Sequence, residues 1–373
     1  MSEHDGPAEL AGAASRRRRT HAIILAGGAG ERFWPASRKA RPKPFLRAVG
    51  GRTLLDATLT RARRVAGRDQ VWVVCAQEHV SAVRRASGLP GARILAEPER
   101  RNTAMAVGLA AVRVAREDPD ALQVVLPADH VIPDTRAFAA EVGRSLDAAD
   151  RAQVLVTLGV RPTHPDPGYG YILTGRPAGR GFPGLRQVRR FVEKPSEVRA
   201  RRYLRQGGAL WNAGIFVWRV DVLLEELERH APRLSRNLAP LRGVGARGWK
   251  QALVRAYRGA PGLPIDVAVV EQSRRVWSRP VSFRWSDVGT WESLARELGV
   301  GGDVSRVIEG EVLSDDARGN LVWARDRFVA LLGVEGLAIV DTGDALLVTR
   351  LDRSPEVRRI VRALRRRGRA ELL

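Results

Sequence analysis

From His21 to about Leu298, short apolar runs alternate with longer amphipathic stretches. AIILA (22–26), VWVVC (71–75), QVVLP (123–127) and QVLVTLGV (153–160) are predicted as buried strands, since unbroken apolar runs of this length suit a sheet covered on both faces. TLLDATLTRARRV (53–65) and residues 109–115 place apolar side chains at helical spacing between them. The alternation predicts an α/β fold: a Rossmann-like mixed, mostly parallel sheet flanked by helices. GYGYILTG and LRQVRRFVEKP have alternating character and are expected to add antiparallel strands. Near Gly301-Gly302 the pattern changes to short β-prone runs separated by turn residues, GEVLSD, GNLVWARD and RFVALLGVEGLAIVDTGDALLVTR. These predict a small C-terminal β unit with coiled, helix-like stacking. In the closing SPEVRRIVRALRRRGRAELL, Ser354-Pro355 reads as cap and first helical position, and Val357, Ile360, Val361 and Leu364 mark one apolar face. The expected division is a disordered basic tail over 1–20, a main domain over 21–300 and the β unit with its terminal helix over 301–373.

Length and charge narrow the picture. At 373 residues the chain exceeds one average domain and suits one large and one small unit. There is no run of 18 apolar residues and no signal-peptide core, so no membrane association is expected. The net charge of +22 and pI near 11.4 admit nucleic-acid binding. However, the basic residues are mostly Arg and spread along the chain, without zinc-finger spacing, an aromatic RNA-binding motif or a helix-turn-helix signal. The reading is a solvated basic surface that attracts nucleotides, with no specific nucleic-acid partner. Cys75 is alone in an apolar run and reads as a buried small hydrophobe; one cysteine excludes an internal disulfide and fits a reducing cytoplasm. The six histidines form no metal-ligand cluster.

The chemistry is concentrated in IILAGGAGERFWPASRKARPKPFL (23–46). An apolar strand breaks into a turn with Gly27, Gly28 and Gly30, followed by Arg32, Arg38, Lys39, Arg41 and Lys43. Such a turn lets backbone N–H groups approach a polyanion, and the cations neutralise phosphate oxygens. The P-loop pattern is absent, and Phe33 stands where the dinucleotide fingerprint needs its third glycine. Asp129 in LPADHVI (126–132) follows the carboxyl end of a predicted strand, where open α/β sheets bind ligands. A second carboxylate, Asp287, lies in FRWSDVGTW (283–291). Two carboxylates beside phosphates suit Mg²⁺, which takes one or two carboxylates with phosphate oxygens and water.

GGxGxR followed by WPxSRxxxPKPFL resembles the signature of sugar-nucleotide pyrophosphorylases, and its form with Trp34 and Ser37-Arg38 is most similar to mannose-1-phosphate guanylyltransferases. WSDVGTW, FVEKP (191–195), GYGYI (168–172), WNAGIF (211–216) and PERRNTAMAVGLAA (98–111) resemble further motifs of that family, in the family order. The departures are Thr290 for Ser, Pro167 for Thr, Ala213 for Ser, Ile215 for Met and Met105 for Pro. The resemblance implies a nucleotidyltransferase fold of glycosyltransferase-A type with a left-handed β-helix-like C-terminal unit. It implies a cytoplasmic enzyme converting GTP and α-D-mannose 1-phosphate to GDP-mannose and pyrophosphate. By the same resemblance Arg32, Lys43 and Lys194 are catalytic. Leu25, Ala26, Gly27, Gly28, Gly30, Asn102, Thr103 and Asp129 bind nucleotide. Gly170, Glu193, Lys194, Asn212 and Gly214 bind the sugar phosphate, and Asp129 and Asp287 hold Mg²⁺. If FVEKP is extended, Glu193 and Lys194 point to opposite sides. The small β unit is a candidate self-association surface for a homodimer.

Overall fold

The computed structural model describes residues 15–28, 30–47 and 50–373. Residues 1–14 of the expected basic tail lie outside the described residues, whereas its arginines, Arg16–Arg19, lie within them. Residues 15–19 are helical, and Thr20 already opens the first strand.

The chain forms two units that interleave in sequence. The first gathers residues up to Gly27, then Thr58–Pro127 and Ile132–Trp285. Its centre is a nine-stranded mixed sheet in the order β3-β2-β1-β4-β8-β5-β9-β7-β6. The expected apolar runs supply β1 (Thr20–Leu25), β2 (Val71–Ala76) and β4 (Leu122–Pro127); with β3 (Ile94–Glu97), which the apolar pattern did not mark, they are all parallel to one another. β8 (Ala209–Arg219) runs antiparallel between β4 and β5 (Leu155–Val160). β9 (Val276–Val281) is parallel to β5. GYGYILTG and LRQVRRFV supply β6 (Tyr171–Pro177) and β7 (Arg186–Val192), antiparallel as expected. The parallel pairs are thus confined to the β3-to-β4 half and to β5–β9. Helix Asn102–Ala115 is buried along most of its length and joins Trp72, Trp218 and Tyr257 in the main core. Such a helix must be covered on every side, which explains its Ala- and Val-rich sequence.

The second unit comprises Gly28–Ala57, Ala128–Val131 and Ser286–Leu373. It contains a four-stranded sheet, β10 (Arg306–Asp315), β11 (Leu321–Leu332), β12 (Leu337–Asp341) and β13 (Leu346–Arg350). The first three are parallel neighbours in register one coil apart, Arg306 on Leu321 and Leu321 on Ala338; β13 turns back antiparallel. Parallel strands joined by short connections, without crossover helices, must coil. Asn320, fully buried, ties successive coils by donating to the Val334 carbonyl and accepting from the Leu337 amide.

The second unit's core joins the signature loop to this β coil. Phe33, Trp34 and Leu46 cluster with Trp291, Trp323 and Val340. The Trp34 indole donates to the Leu372 carbonyl at 2.8 Å, and Phe33 packs on Trp291 with ring centres 4.8 Å apart. Two expectations for the terminal helix are corrected. Val357 and Val361 are buried, but Ile360 is 44% exposed, because only one side of the helix meets the core. Ser354 lies in a 3-10 turn ahead of helix Val357–Arg366, and its hydroxyl accepts from the Glu292 amide instead of capping its own helix.

Candidate active site

In the second unit the signature loop turns through Gly30, whose φ of 62° is left-handed. A Cβ there would stand 2.6 Å from the Lys43 Cβ and from the Ser37 hydroxyl, so glycine is required by both backbone and space. Gly28 is exposed, with nothing within 4 Å of where a Cβ would sit. Lys43 is buried; its ammonium donates to Asp129 Oδ2 and to the Asp287 carbonyl, each at 2.7 Å. It also sits 5.6 Å from the Phe33 ring centre. One cation therefore joins three segments remote in sequence. Burial alone would raise the Asp129 pKa, but the Lys43 ammonium, with His130 and hydrogen bonds, outweighs it and holds the carboxyl below its usual value.

Asp287 accepts from the Gly289 amide through Oδ1 at 3.1 Å. Between them Val288 is fully buried with φ 43°, a left-handed conformation costly for a β-branched residue. The DVG turn is held against that cost by the core around Val288 and by Thr290, which caps helix Trp291–Glu297. Arg32 is half-buried, and its guanidinium lies 3.4 Å from a Cβ built on Gly289, placing it beside the same turn. Of the other loop cations, Arg38 is committed to Asp344 and Thr342 of the β coil, while Lys39 and Arg41 are exposed. The segment thus divides into cations facing the acidic pair and cations serving structure or solvent.

In the first unit, Leu25 ends β1, and the Ala26 amide donates to the Val74 carbonyl, so that N–H belongs to the sheet. Gly27 is exposed beyond it. Asn102 opens its helix at φ 63°, with its side-chain oxygen accepting from the Thr103 amide; Thr103 Oγ1 accepts from the Ile265 amide.

A second cluster in this unit contains the expected sugar residues. A Cβ on Gly170 would stand 2.7 Å from Glu193 Oε2 and 3.4 Å from the Asn212 Cβ, so these three residues converge. Asn212 accepts from Thr157 and from the Gly214 amide, and donates to Asp266 at 2.7 Å. Gly214 sits at φ 65°. Glu193 and Lys194 do not point apart: β7 ends at Val192, Lys194 adopts φ 46°, and its ammonium pairs with the Glu193 carboxylate. Tyr169 packs at a tilt on Trp211 and edge-on against Trp285, at 4.9 and 5.4 Å between ring centres.

Two acids that the motifs did not mark join this cluster. Glu271 accepts from the Glu193 amide at 2.7 Å. Asp266, on a π-helical turn, is pushed up to about 7 by burial and by the nearby Glu193 charge. Their signal in sequence was PIDVAVVEQ (264–272), with acids five apart in an apolar run, a costly placement unless paired. Among the described residues no group of three or more His, Cys, Asp and Glu forms a metal cage. Asp129 and Asp287 nonetheless fit Mg²⁺ by donor chemistry, because that ion draws its remaining ligands from phosphate and water.

Residues 21–298 match the Nucleotidyl transferase family, and residues 310–364 match the MannoseP isomerase/GMP-like beta-helix domain. The chain is 36% identical over 357 residues to alginate biosynthesis protein AlgA of Pseudomonas aeruginosa, covering 94% of this chain and 73% of that one. It is 35% identical over 358 residues to mannose-1-phosphate guanylyltransferase RfbM of Salmonella typhimurium, with coverages of 94% and 73%. A crystal structure from Thermus thermophilus, described as mannose-1-phosphate geranyltransferase, matches with TM-score 0.85 at 36% identity, covering 93% of this chain and 99% of that one. The family match and these relatives define a nucleotidyltransferase enzyme. The chain belongs to the Nucleotidyl transferase family, with the β-helix-type C-terminal domain, and the resemblance read from its motifs is confirmed.

Proposed function

We propose that this enzyme is a mannose-1-phosphate guanylyltransferase, converting GTP and α-D-mannose 1-phosphate to GDP-mannose and pyrophosphate. The observation that carries the reading is Lys43, bonded at once to Asp129 and to the Asp287 backbone behind a glycine turn. The names of relatives such as RfbM support the choice of sugar and base.

In the proposed reaction a mannose 1-phosphate oxygen attacks the α-phosphorus of GTP in line with the departing pyrophosphate. The new P–O bond forms as the bond to the β-phosphate bridge breaks, and the electron pair leaves on pyrophosphate. The nucleophile is already ionised at neutral pH, so no general base is required. Catalysis then rests on positioning and charge neutralisation. Arg32 and the turn at Gly28 and Gly30 hold the β- and γ-phosphates, and Lys43 neutralises the α-phosphate. Lys194 leaves its Glu193 partner for the sugar phosphate, while Glu193, Asn212 and the backbone at Gly170 and Gly214 read sugar hydroxyls. Leu25, Ala26, Gly27, Asn102 and Thr103 line the nucleoside. Asp129 and Asp287 would hold Mg²⁺, which supplies Lewis-acid stabilisation of phosphate oxygens when bound. The reading places the enzyme in the cytoplasm, with the small β unit as its candidate self-association surface. Pyrophosphate release measured with GTP or ATP against mannose and glucose 1-phosphates tests it: the GTP and mannose 1-phosphate pair should dominate. Equal rates with ATP or with glucose 1-phosphate would reassign the substrate.

A further inference from the structure

At one edge of the first unit's sheet the strands close on themselves. β8 is hydrogen-bonded to β6 as well as to β5, so β8, β5, β9, β7 and β6 form a ring of five strands. A cavity of 530 Å³ opens where this ring meets helix Glu197–Gln206, a size that suits a small-molecule ligand. Each strand supplies lining at its end or just past it: Arg161 after β5, Thr174 from β6, Arg186 from β7, Leu210 from β8 and Pro280 from β9. Tyr203 and Leu204 of the helix complete an apolar wall with Leu210 and Pro280. No residue of the proposed reaction lines this cavity.

Its charge is one-sided. Arg161 and Arg186 line it and no acid does, and neither guanidinium has an ion-pair partner among the described residues. One Nη of Arg186 donates to the Gly175 carbonyl at 2.7 Å, while Nε is buried without a partner. Its cross-strand neighbour Ser278 is fully buried, and its hydroxyl is likewise unpaired. A buried donor left unpaired is costly, and an anion that accepts from it removes the cost.

We propose that this cavity binds a small phosphorylated sugar as an effector, with the phosphate on Arg161 and Arg186 and the ring against Tyr203, Leu204 and Leu210. Guanidinium forks match phosphate oxygens in geometry and charge, and the apolar wall covers the C–H face of a sugar. The cavity is separate from the sugar 1-phosphate cluster but joined to it through packing. Leu210 and Asn212 share one face of β8. Gly159 pairs with Asn212 across the ladder, and a Cβ on it would stand 2.6 Å from Leu210 Cδ1. Contacts this close transmit strain, so a ligand pressing on Leu210 bears on Asn212, a proposed reader of the sugar substrate.

The test is calorimetric binding of glucose 6-phosphate, inorganic phosphate and glucose to the full-length protein. The wild type should bind glucose 6-phosphate at least about tenfold tighter than inorganic phosphate, and glucose without measurable heat. Arg161 is exposed, so Arg161→Gln leaves the fold intact and should weaken glucose 6-phosphate at least about tenfold, the scale of one charge-assisted hydrogen bond. Arg85→Gln makes the same charge change on exposed helix Val80–Ser87, beside β2 and β3, and should leave the affinity within about twofold. No binding by the wild type, or full affinity in Arg161→Gln, overturns the site. Equal losses in both variants also overturn it, by reducing the binding to overall surface charge. Inorganic phosphate binding as tightly as glucose 6-phosphate removes the sugar from the assignment. In turnover, glucose 6-phosphate should change the KM for mannose 1-phosphate at least about fivefold in the wild type and leave it unchanged in Arg161→Gln. An unchanged wild-type KM overturns the effector role, and a shift that persists in the variant places the probe in the catalytic cluster instead. Binding is read without turnover, so an enzyme inactive with GTP and mannose 1-phosphate would sink the reaction above and leave this site standing.

Discussion

Lys43 commits its ammonium to one acid side chain and one carbonyl, and both belong to segments that the proposed chemistry needs. Asp287→Asn preserves an acceptor for the Gly289 amide, so the turn should survive while the carboxylate charge is lost. Turnover should fall by at least about 10²-fold, in line with losing one preorganised electrostatic group. Thermal melting beside pyrophosphate release checks both halves, and near-normal turnover would remove Asp287 from the mechanism. Lys43→Met leaves Asp129 without its cation and should cost about 2 kcal/mol of stability at neutral pH. The sign follows from linkage. The Asp129 pKa is depressed in the fold, so its stabilising contribution exists above the unfolded value and disappears as pH falls through the folded one. The melting-temperature gap between wild type and Lys43→Met should therefore close below about pH 4. A gap that persists there would mean that Lys43 stabilises through packing instead.

Among the elements, the glycine turn and the DVG turn were legible because their residue types are dictated locally. A turn before a cationic run and an acid between Trp285 and Gly289 both announce themselves in the text of the chain. Gly30→Ala should be doubly penalised, by a left-handed φ and by a Cβ 2.6 Å from Lys43. The expected outcome is a loss of about 1–3 kcal/mol in a urea melt with a raised KM for nucleotide. An unchanged KM would separate the turn from nucleotide binding. Less legible were positions whose meaning depends on distant partners. Nothing near Arg38 in sequence tells that its guanidinium goes to Asp344. The bend at Lys194 needed the structure, since a strand-like run gives no sign of a left-handed residue at its end. Asp266 and Glu271 looked like ordinary acids until Asn212 and Glu193 were found beside them.

For the whole molecule, a net charge of +22 sets a long-range field favouring polyanionic ligands. The apparent association rate of GTP should fall as ionic strength rises from about 10 to 150 mM, as the screening length shrinks from about 30 to 8 Å. Stopped-flow binding at several salt concentrations checks this, and a salt-independent rate would mean that the surface charge plays no part in capture. The strand-and-helix plan came through in sequence because its apolar runs are long and uninterrupted. The physical grouping of segments did not, since residues 28–57 and 286–373 share a core that only tertiary contact reveals.

That shared core bears on how such chains can be recombined. The sequence seam near residue 300 looks like a natural place to exchange parts between homologues, yet Trp34 donates to Leu372, and Trp291 packs on Trp323 across it. A chimera joined there inherits a foreign floor beneath its own signature loop, so Phe33 and Trp34 must fit side chains they were not selected with. Lineages in which the tail drifts would have to carry the loop's aromatic residues along with it.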